Sequence, residues 1–187
     1  MPPRIVVPLI GEPLPLDFVN TRPQPDRGVL DVFATAEGLS QWLLAESDRL
    51  PAIPVTDTTR KRVVALRRQV GAALDAIVCG DQPGDAALGA INDALRHAPS
   101  YLQLRWSKKG ARVDTIRPGD HDAQLLAAVA EASVDYLSSD RALATRRCEA
   151  PDCEMLFSPT HPRRRWCSPT VCGNRTRVAR YYDRHKD

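Results

Sequence analysis

The sequence predicts a mainly α protein with one small β-hairpin. In this α+β arrangement a helical N-terminal domain, residues 1–144, precedes a small four-cysteine module, residues 145–187, that ends in a helix. Three observations predict it. Apolar residues recur at steps of three and four in several segments of the first 144 residues, the period of a helix with one buried face. Two stretches between 101 and 117 alternate instead with a period of two. Four of the five cysteines fall within twenty-five residues near the C-terminus.

Taken in order, the first thirty residues carry Pro2, Pro3, Pro8, Pro13, Pro15, Pro23 and Pro25, so no long helix runs through them. Within this lead-in Leu14, Leu16 and Phe18 alternate with Pro15 and Asp17, which predicts a short extended segment against the core. A first helix enters through Thr35, carries Leu39, Trp42 and Leu43 on one face, and ends before Pro51 and Pro54. A longer helix follows Asp57, with Val63, Leu66, Val70, Leu74 and Ile77 inward and Arg60, Lys61, Arg67 and Arg68 on the solvated side. Gly80 through Gly84 is a turn, and Leu88, Ile91 and Leu95 mark a third helix that stops before Pro99. Residues 101–106 and 111–116 flank Lys108-Lys109-Gly110 as a hairpin. Asp120 or His121 then opens an alanine-rich helix reaching to about Leu143. Trp42 and Trp106 are expected in the core, and Cys79 as an inert buried thiol. Asp17 is expected to cap a backbone turn, and Asn20-Thr21 to start a loop through local side-chain hydrogen bonds.

Composition bounds what the chain does. Of 187 residues, 43% are hydrophobic and 26% charged, and no apolar run approaches the length of a membrane span, so a soluble, cytoplasmic protein is expected, with no membrane partner. The apolar stretch Ile5 to Ile10 is too short for a secretory signal. From Arg146 onward there are ten Lys/Arg against five Asp/Glu, leaving sixteen against eighteen for the body, so the net charge of +3 conceals a basic tail on a slightly acidic body. Such asymmetry is expected where one end meets a polyanion. There is no Gly-rich phosphate loop, nucleophile elbow or His-Glu-x-x-His motif, and no enzymatic activity is expected.

Four residues separate Cys148 from Cys153, thirteen separate Cys153 from Cys167, and four separate Cys167 from Cys172. Two short-range pairs joined by a loop are how one chain supplies a tetrahedron of thiolates to zinc at small cost in loop closure. The alternatives are two disulfides, which a reducing compartment disfavours, or four unrelated buried thiols, which the clustering disfavours. Zinc is therefore the expected cofactor, with Cys148, Cys153, Cys167 and Cys172 as its ligands. His161, between Pro159 and Pro162, reads as an exposed loop residue rather than a ligand. So short a segment has little core of its own, which leaves Leu156, Phe157 and Trp166 to pack it and dock it on the body.

The run Cys148-Glu149-Ala150-Pro151-Asp152-Cys153-Glu154-Met155-Leu156-Phe157, then Arg163-Arg164-Arg165-Trp166-Cys167-Ser168, then Cys172-Gly173-Asn174-Arg175, resembles the CGNR zinc finger. Upstream, Leu14-Pro15-Leu16-Asp17-Phe18-Val19-Asn20-Thr21 is similar to the opening motif of the ABATE domain, which precedes that finger in bacterial proteins described as stress-induced transcription regulators. The resemblance implies a DNA-binding finger behind a sensing or regulatory domain, the same four ligands, and a signature on Gly173, Asn174 and Arg175. The chain departs from the finger's usual pattern at Pro169, commonly Met, and at Ser158-Pro159, commonly acidic.

After the last cysteine, Val178, Tyr181 and Tyr182 form an apolar face, and Arg177, Arg180 and Arg184 a basic stripe, of a short helix for which Asn174 is a favourable N-cap and Gly173 the tight turn. Candidate DNA contacts are Arg163, Arg164, Arg165, Asn174, Arg175, Arg177, Arg180 and Arg184. A zinc tetrathiolate carries a net charge of −2, so Arg147, Arg163, Arg164, Arg165 and Arg175 have an alternative role in balancing it, and Arg175 is the one most expected to do so. The expected partner is DNA, with a small-molecule effector in the N-terminal domain and a homodimer as further expectations. The competing reading is a zinc-stabilised interaction or oligomerisation module that does not bind DNA.

Overall fold

In a computed structural model, which describes residues 11–22 and 30–185, seven helices and two small antiparallel sheets follow one another in the order expected of a mainly α chain with a hairpin. Of the proline-rich lead-in, residues 1–10 and 23–29 lie outside the described residues. The body comprises α1 (Leu14–Val19), α2 (Ala36–Ala45), α3 (Asp57–Cys79), α4 (Asp85–His97), β1 (Tyr101–Ser107), β2 (Gly110–Ile116), α5 (His121–Leu137) and α6 (Asp140–Leu143). The C-terminal module holds β3 (Arg146–Arg147), β4 (Leu156–Phe157), a wide π-type turn at Pro169–Gly173, and α7 (Asn174–Arg184).

The capping residues do what their chemistry predicts. Thr35 and Asp120 accept from the backbone N–H groups of Gly38 and Ala123, and Thr56 exchanges reciprocal bonds with Thr59 as a capping box at the start of α3. Gly80, at φ 84°, closes α3 in the left-handed conformation that costs glycine nothing. Helices α3, α4 and α5 pack side by side, and α1 lies across α3 and α5. Their shared core includes Leu16, Phe18, Val19, Phe33, Leu39, Trp42, Val70, Leu74 and Leu125, each almost wholly excluded from solvent. Phe18, Phe33 and Trp42 meet as a triad with ring centroids 5.3–5.9 Å apart, in the tilted and edge-on geometry that aromatic quadrupoles favour.

Several expectations are corrected. The segment around Leu14, Leu16 and Phe18 is helical and not extended, and all six of its residues are buried. Alternation over five positions cannot distinguish a strand from a short helix covered on every side, and Pro15 sits in the first turn, where no backbone N–H is needed. The alanine-rich helix stops at Leu137, and α6 starts afresh at Asp140. In the break Ser139 Oγ donates to Tyr136 O at 2.6 Å, while the Tyr136 hydroxyl meets Thr145 Oγ1 at 2.7 Å. Arg67 does not join the solvated face of α3. It is buried, forks onto both oxygens of Asp31 at 2.6 and 2.7 Å, and stacks 4.7 Å above the Phe33 ring. Cys79 is exposed at the end of α3, and Trp106 is exposed on the hairpin, whereas Trp42 is in the core as expected.

Asp17 is not a turn cap. Its carboxylate is fully buried on α1, where Arg49 Nη2 donates to Oδ2 at 2.8 Å and Oδ1 has no hydrogen-bond partner among the described residues. Burial pushes this carboxyl up to about 6, against the hydrogen bond and charge of Arg49 and with the help of neighbouring Glu46. The folded chain therefore holds the proton more tightly than the unfolded chain, whose carboxyl titrates near 3.8. The stability this proton contributes is complete below that lower value and is lost as pH rises through about 6. Between those limits the wild type should lose up to about 3 kcal/mol relative to Asp17→Asn, which cannot titrate. Urea midpoints of the two proteins across that range read this difference directly, and taking the difference removes the acid lability common to both. Parallel stability curves would rule the assignment out.

Candidate metal centre and basic helix

The four cysteines expected as ligands converge from two local structures. Cys148 and Cys153 lie on a knuckle between β3 and β4, where Cys148 N–H donates to Met155 O at 2.9 Å and Cys153 N–H to Ala150 O at 3.2 Å. The reversal passes through Asp152 at φ 60°, a conformation that Asp tolerates better than most residues. Cys167 ends the loop, and Cys172 lies in the Pro169–Gly173 turn, whose first N–H groups meet Ser168: Val171 N–H donates to its Oγ at 3.2 Å.

All four sulfurs are buried and lie within 4.8 Å of one another. Cys153 and Cys167 are separated by 3.9 Å, and Cys172 lies 3.7 Å from each of them. A tetrahedron with zinc–sulfur bonds of about 2.3 Å has edges of about 3.8 Å, and a disulfide needs about 2.05 Å. The spacing therefore fits a zinc tetrathiolate and excludes cystines. The crowding also splits the thiols in charge. Sulfur hydrogen bonds from Cys153 and then Cys167 pull the Cys148 thiol well down, while the contact with Cys148 pushes Cys167 strongly up. A second thiolate so near the first is unfavourable unless a cation is shared, which is what zinc supplies. Cys167 N–H donates to Cys148 Sγ at 3.4 Å, and Arg175 places Nη2 4.0 Å from Cys172 Sγ while donating to Pro151 O at 3.0 Å. Arg175 thus stands where a balancing charge belongs.

The other candidate residues separate into two groups. Arg164 is held inside the module: its guanidinium donates to Glu12 Oε1 at 2.7 Å, to Cys167 O at 2.6 Å and to Trp166 O at 3.1 Å, and it lies 4.6 Å over the Phe157 ring. Arg165 pairs with Glu149 at 2.5 Å on the surface. Arg163 is exposed, as is His161, whose Nδ1 accepts from Arg163 N–H at 3.1 Å. On α7, Arg177, Arg180 and Arg184 are all exposed and, with Tyr181, line one shallow groove along the helix. Among the described residues none of these three arginines forms an ion pair, although the charge of Arg180 is among those that hold the Glu149 carboxyl down, after the hydrogen bond and charge of Arg165.

Two details of this helix differ from expectation. Asn174 is helical at φ −69°, ψ −47° and exposed, because the backbone is already wound at Pro169 and Ser168 supplies the side-chain cap. Gly173 is also helical, at φ −63°, so no unusual backbone angle requires it. Space does: a Cβ there would lie 3.2 Å from the Trp166 ring, which packs on the cysteine cluster. The apolar face of Val178, Tyr181 and Tyr182 stays roughly half exposed, with Tyr181 stacked on His185 at 4.2 Å between ring centroids.

The module is joined to the body through residues whose partners lie far away in sequence. Asn20, expected to bond locally, donates from Nδ2 to Leu156 O at 2.8 Å and accepts from Leu156 N–H at 2.9 Å, with both groups buried. Leu156 itself belongs to the core of the body, while Phe157 belongs to the cysteine cluster. Glu12 accepts from Ser158 N–H at 2.9 Å as well as from Arg164, and Asp75 on α3 takes Arg147 at 2.8 Å and Arg22 at 3.2 Å. Thr21 alone keeps the local role expected of it, donating to Phe18 O at 2.6 Å. No spacing signal pointed to Glu12, Asn20 or Asp75 as docking residues.

Comparison with known families agrees with both halves. Residues 12–140 match the ABATE family model, described as "Putative stress-induced transcription regulator", and residues 145–185 match the CGNR zinc finger. No curated protein matches the chain. Among the described residues no helix is long and apolar enough to cross a membrane.

Proposed function

This chain belongs to the ABATE family and carries a CGNR zinc finger, and from that premise we propose that it is a bacterial, cytoplasmic transcription regulator that binds DNA through the basic face of α7. The observation that supports this reading is the exposed row of Arg177, Arg180 and Arg184, which among the described residues makes no ion pair with a carboxylate and no bond to a cysteine sulfur. Three guanidinium groups on one helical face suit the phosphates and the guanine edge of a major groove, and the zinc-bound turn holds that face rigidly at its N-terminal end. Arg163, at the rim of the same module, adds a further cation, whereas Arg164 and Arg175 serve the fold. The role is binding without catalysis, with the helical body as the part that senses an effector.

The test is fluorescence anisotropy of the zinc-loaded chain with duplex DNA across a salt series. Affinity should fall linearly on a log–log plot, and Arg177→Ala and Arg180→Ala should each weaken binding to every sequence and reduce the salt slope by about 1, with zinc content unchanged. Affinity that ignores both substitutions would reject the assignment. A second reading, in which the finger docks on a protein, is favoured by the exposed Val178, Tyr181 and Tyr182 on the adjoining face. An interface of that kind barely responds to salt.

A further inference from the structure

The β1–β2 hairpin has two unlike faces, and the apolar one meets water as fully as the charged one. Register pairs Leu102 with Thr115, Leu104 with Val113 and Trp106 with Ala111, so these six side chains share one face. On the other, Asp114 takes Arg105 at 2.8 Å and Arg112 at 2.7 Å and is joined by Gln103. The charged face is what a ribbon normally turns outward, with the apolar face against a core. Here every residue of β1 is exposed, and Leu102, Leu104, Trp106 and Val113 are 74%, 67%, 80% and 58% accessible. A two-stranded ribbon is at best marginally stable in water without a covered apolar face. A contiguous patch of this kind marks an interaction site rather than ordinary surface.

We propose that this apolar hairpin face is the homodimer interface, covered by the same face of a second copy of the chain. The face carries no charge and, apart from the Thr115 hydroxyl and the Trp106 indole N–H, no polar group, so it is complementary to itself and offers nothing to fix a charged partner. Its size also fits. The exposed parts of Leu102, Leu104, Trp106 and Val113 amount to on the order of 500 Å² per copy, and two copies reach the roughly 1,000 Å² at which specific interfaces begin. An antiparallel arrangement about a two-fold axis sets the Lys108-Lys109 tips at opposite ends, so the one concentrated charge of the ribbon is not opposed by its own copy. Trp106 is the expected anchor, being the largest and most exposed side chain of the patch.

Sedimentation equilibrium of the zinc-loaded full chain without DNA, across low to high micromolar concentrations, tests this independently of the DNA-binding reading. The wild type should approach twice the chain mass of 20.7 kDa. Leu104→Glu and Trp106→Glu should each weaken association by about thirtyfold or more, with helical circular dichroism and zinc content unchanged, while Gln103→Glu on the charged face should associate as the wild type does. Acrylamide quenching of the wild type gives a reading that needs no variant: Trp106 should become less accessible as concentration rises. A wild type that stays monomeric, or a dimer that survives Trp106→Glu, overturns the proposal.

Discussion

Cys172→Ser will strip the zinc, unfold the C-terminal module and, less obviously, lower the melting temperature of the helical body. The first two effects follow from where the buried atoms are. Of the seven buried residues in the module's own cluster, four are the ligand cysteines, leaving only Ala150, Met155 and Phe157 with the partly covered Trp166. Structural zinc contributes an apparent 10–16 kcal/mol in small modules near neutral pH, as much as the whole stability of an ordinary domain, and three thiolates with a serine hydroxyl do not retain it. The third effect arises because Leu156 is part of the core of the body and not of the cysteine cluster. Losing it costs about as much as a large-to-small core substitution, about 2–5 kcal/mol, which displaces the midpoint of a domain this size by on the order of 10 °C. Elemental analysis, amide exchange across residues 146–185 and calorimetry measure the three effects separately. A zinc-free variant whose body melts as the wild type does would mean that the finger is an independent appendage.

How much of this was legible in the sequence depended on the distance over which each signal acts. Helices α2 to α5 announce themselves because a 3.6-residue period and a cap such as Thr35 or Asp120 are local, and the four ligands because thiolate spacing is local too. The first helix is not legible because six residues are fewer than two turns, too few for any period to declare itself. Arg67 looked solvated by its place in a charge run, yet it points at Asp31, thirty-six residues away. Asn174 is the cap that the sequence suggests for α7, whereas Ser168 serves, because the chain is already wound where it wraps the metal. The joint between body and module was invisible for the same reason: its partners are separated by 136 and 146 residues, and neither Glu12 nor Asn20 departs from ordinary loop chemistry.

That joint gives the second large effect, which separates docking from metal binding. Asn20→Ala should leave the four thiolates and their zinc intact, because Asn20 touches no ligand and bonds only to the backbone of Leu156. Its removal strands a buried N–H and a buried C=O at once, and each unsatisfied group costs about 1–3 kcal/mol, so a loss of about 2–5 kcal/mol is expected. Asn20→Asp should be no better, since a carboxylate keeps an acceptor for Leu156 N–H but sets negative charge against Leu156 O, where the amide donated. Of the neighbouring contacts, Asp75 to Arg147 is partly exposed and contributes little, and the buried bond from Ser158 N–H to Glu12 leaves both backbone groups of Leu156 unpaired. The module should then lift while remaining folded around its metal, opening the chain near 144–146 to protease. Limited proteolysis should therefore release a zinc-loaded C-terminal fragment from Asn20→Ala faster than from the wild type, at unchanged metal stoichiometry. Equal cleavage rates and equal unfolding midpoints would show that the bidentate amide is not what fastens the finger to the body.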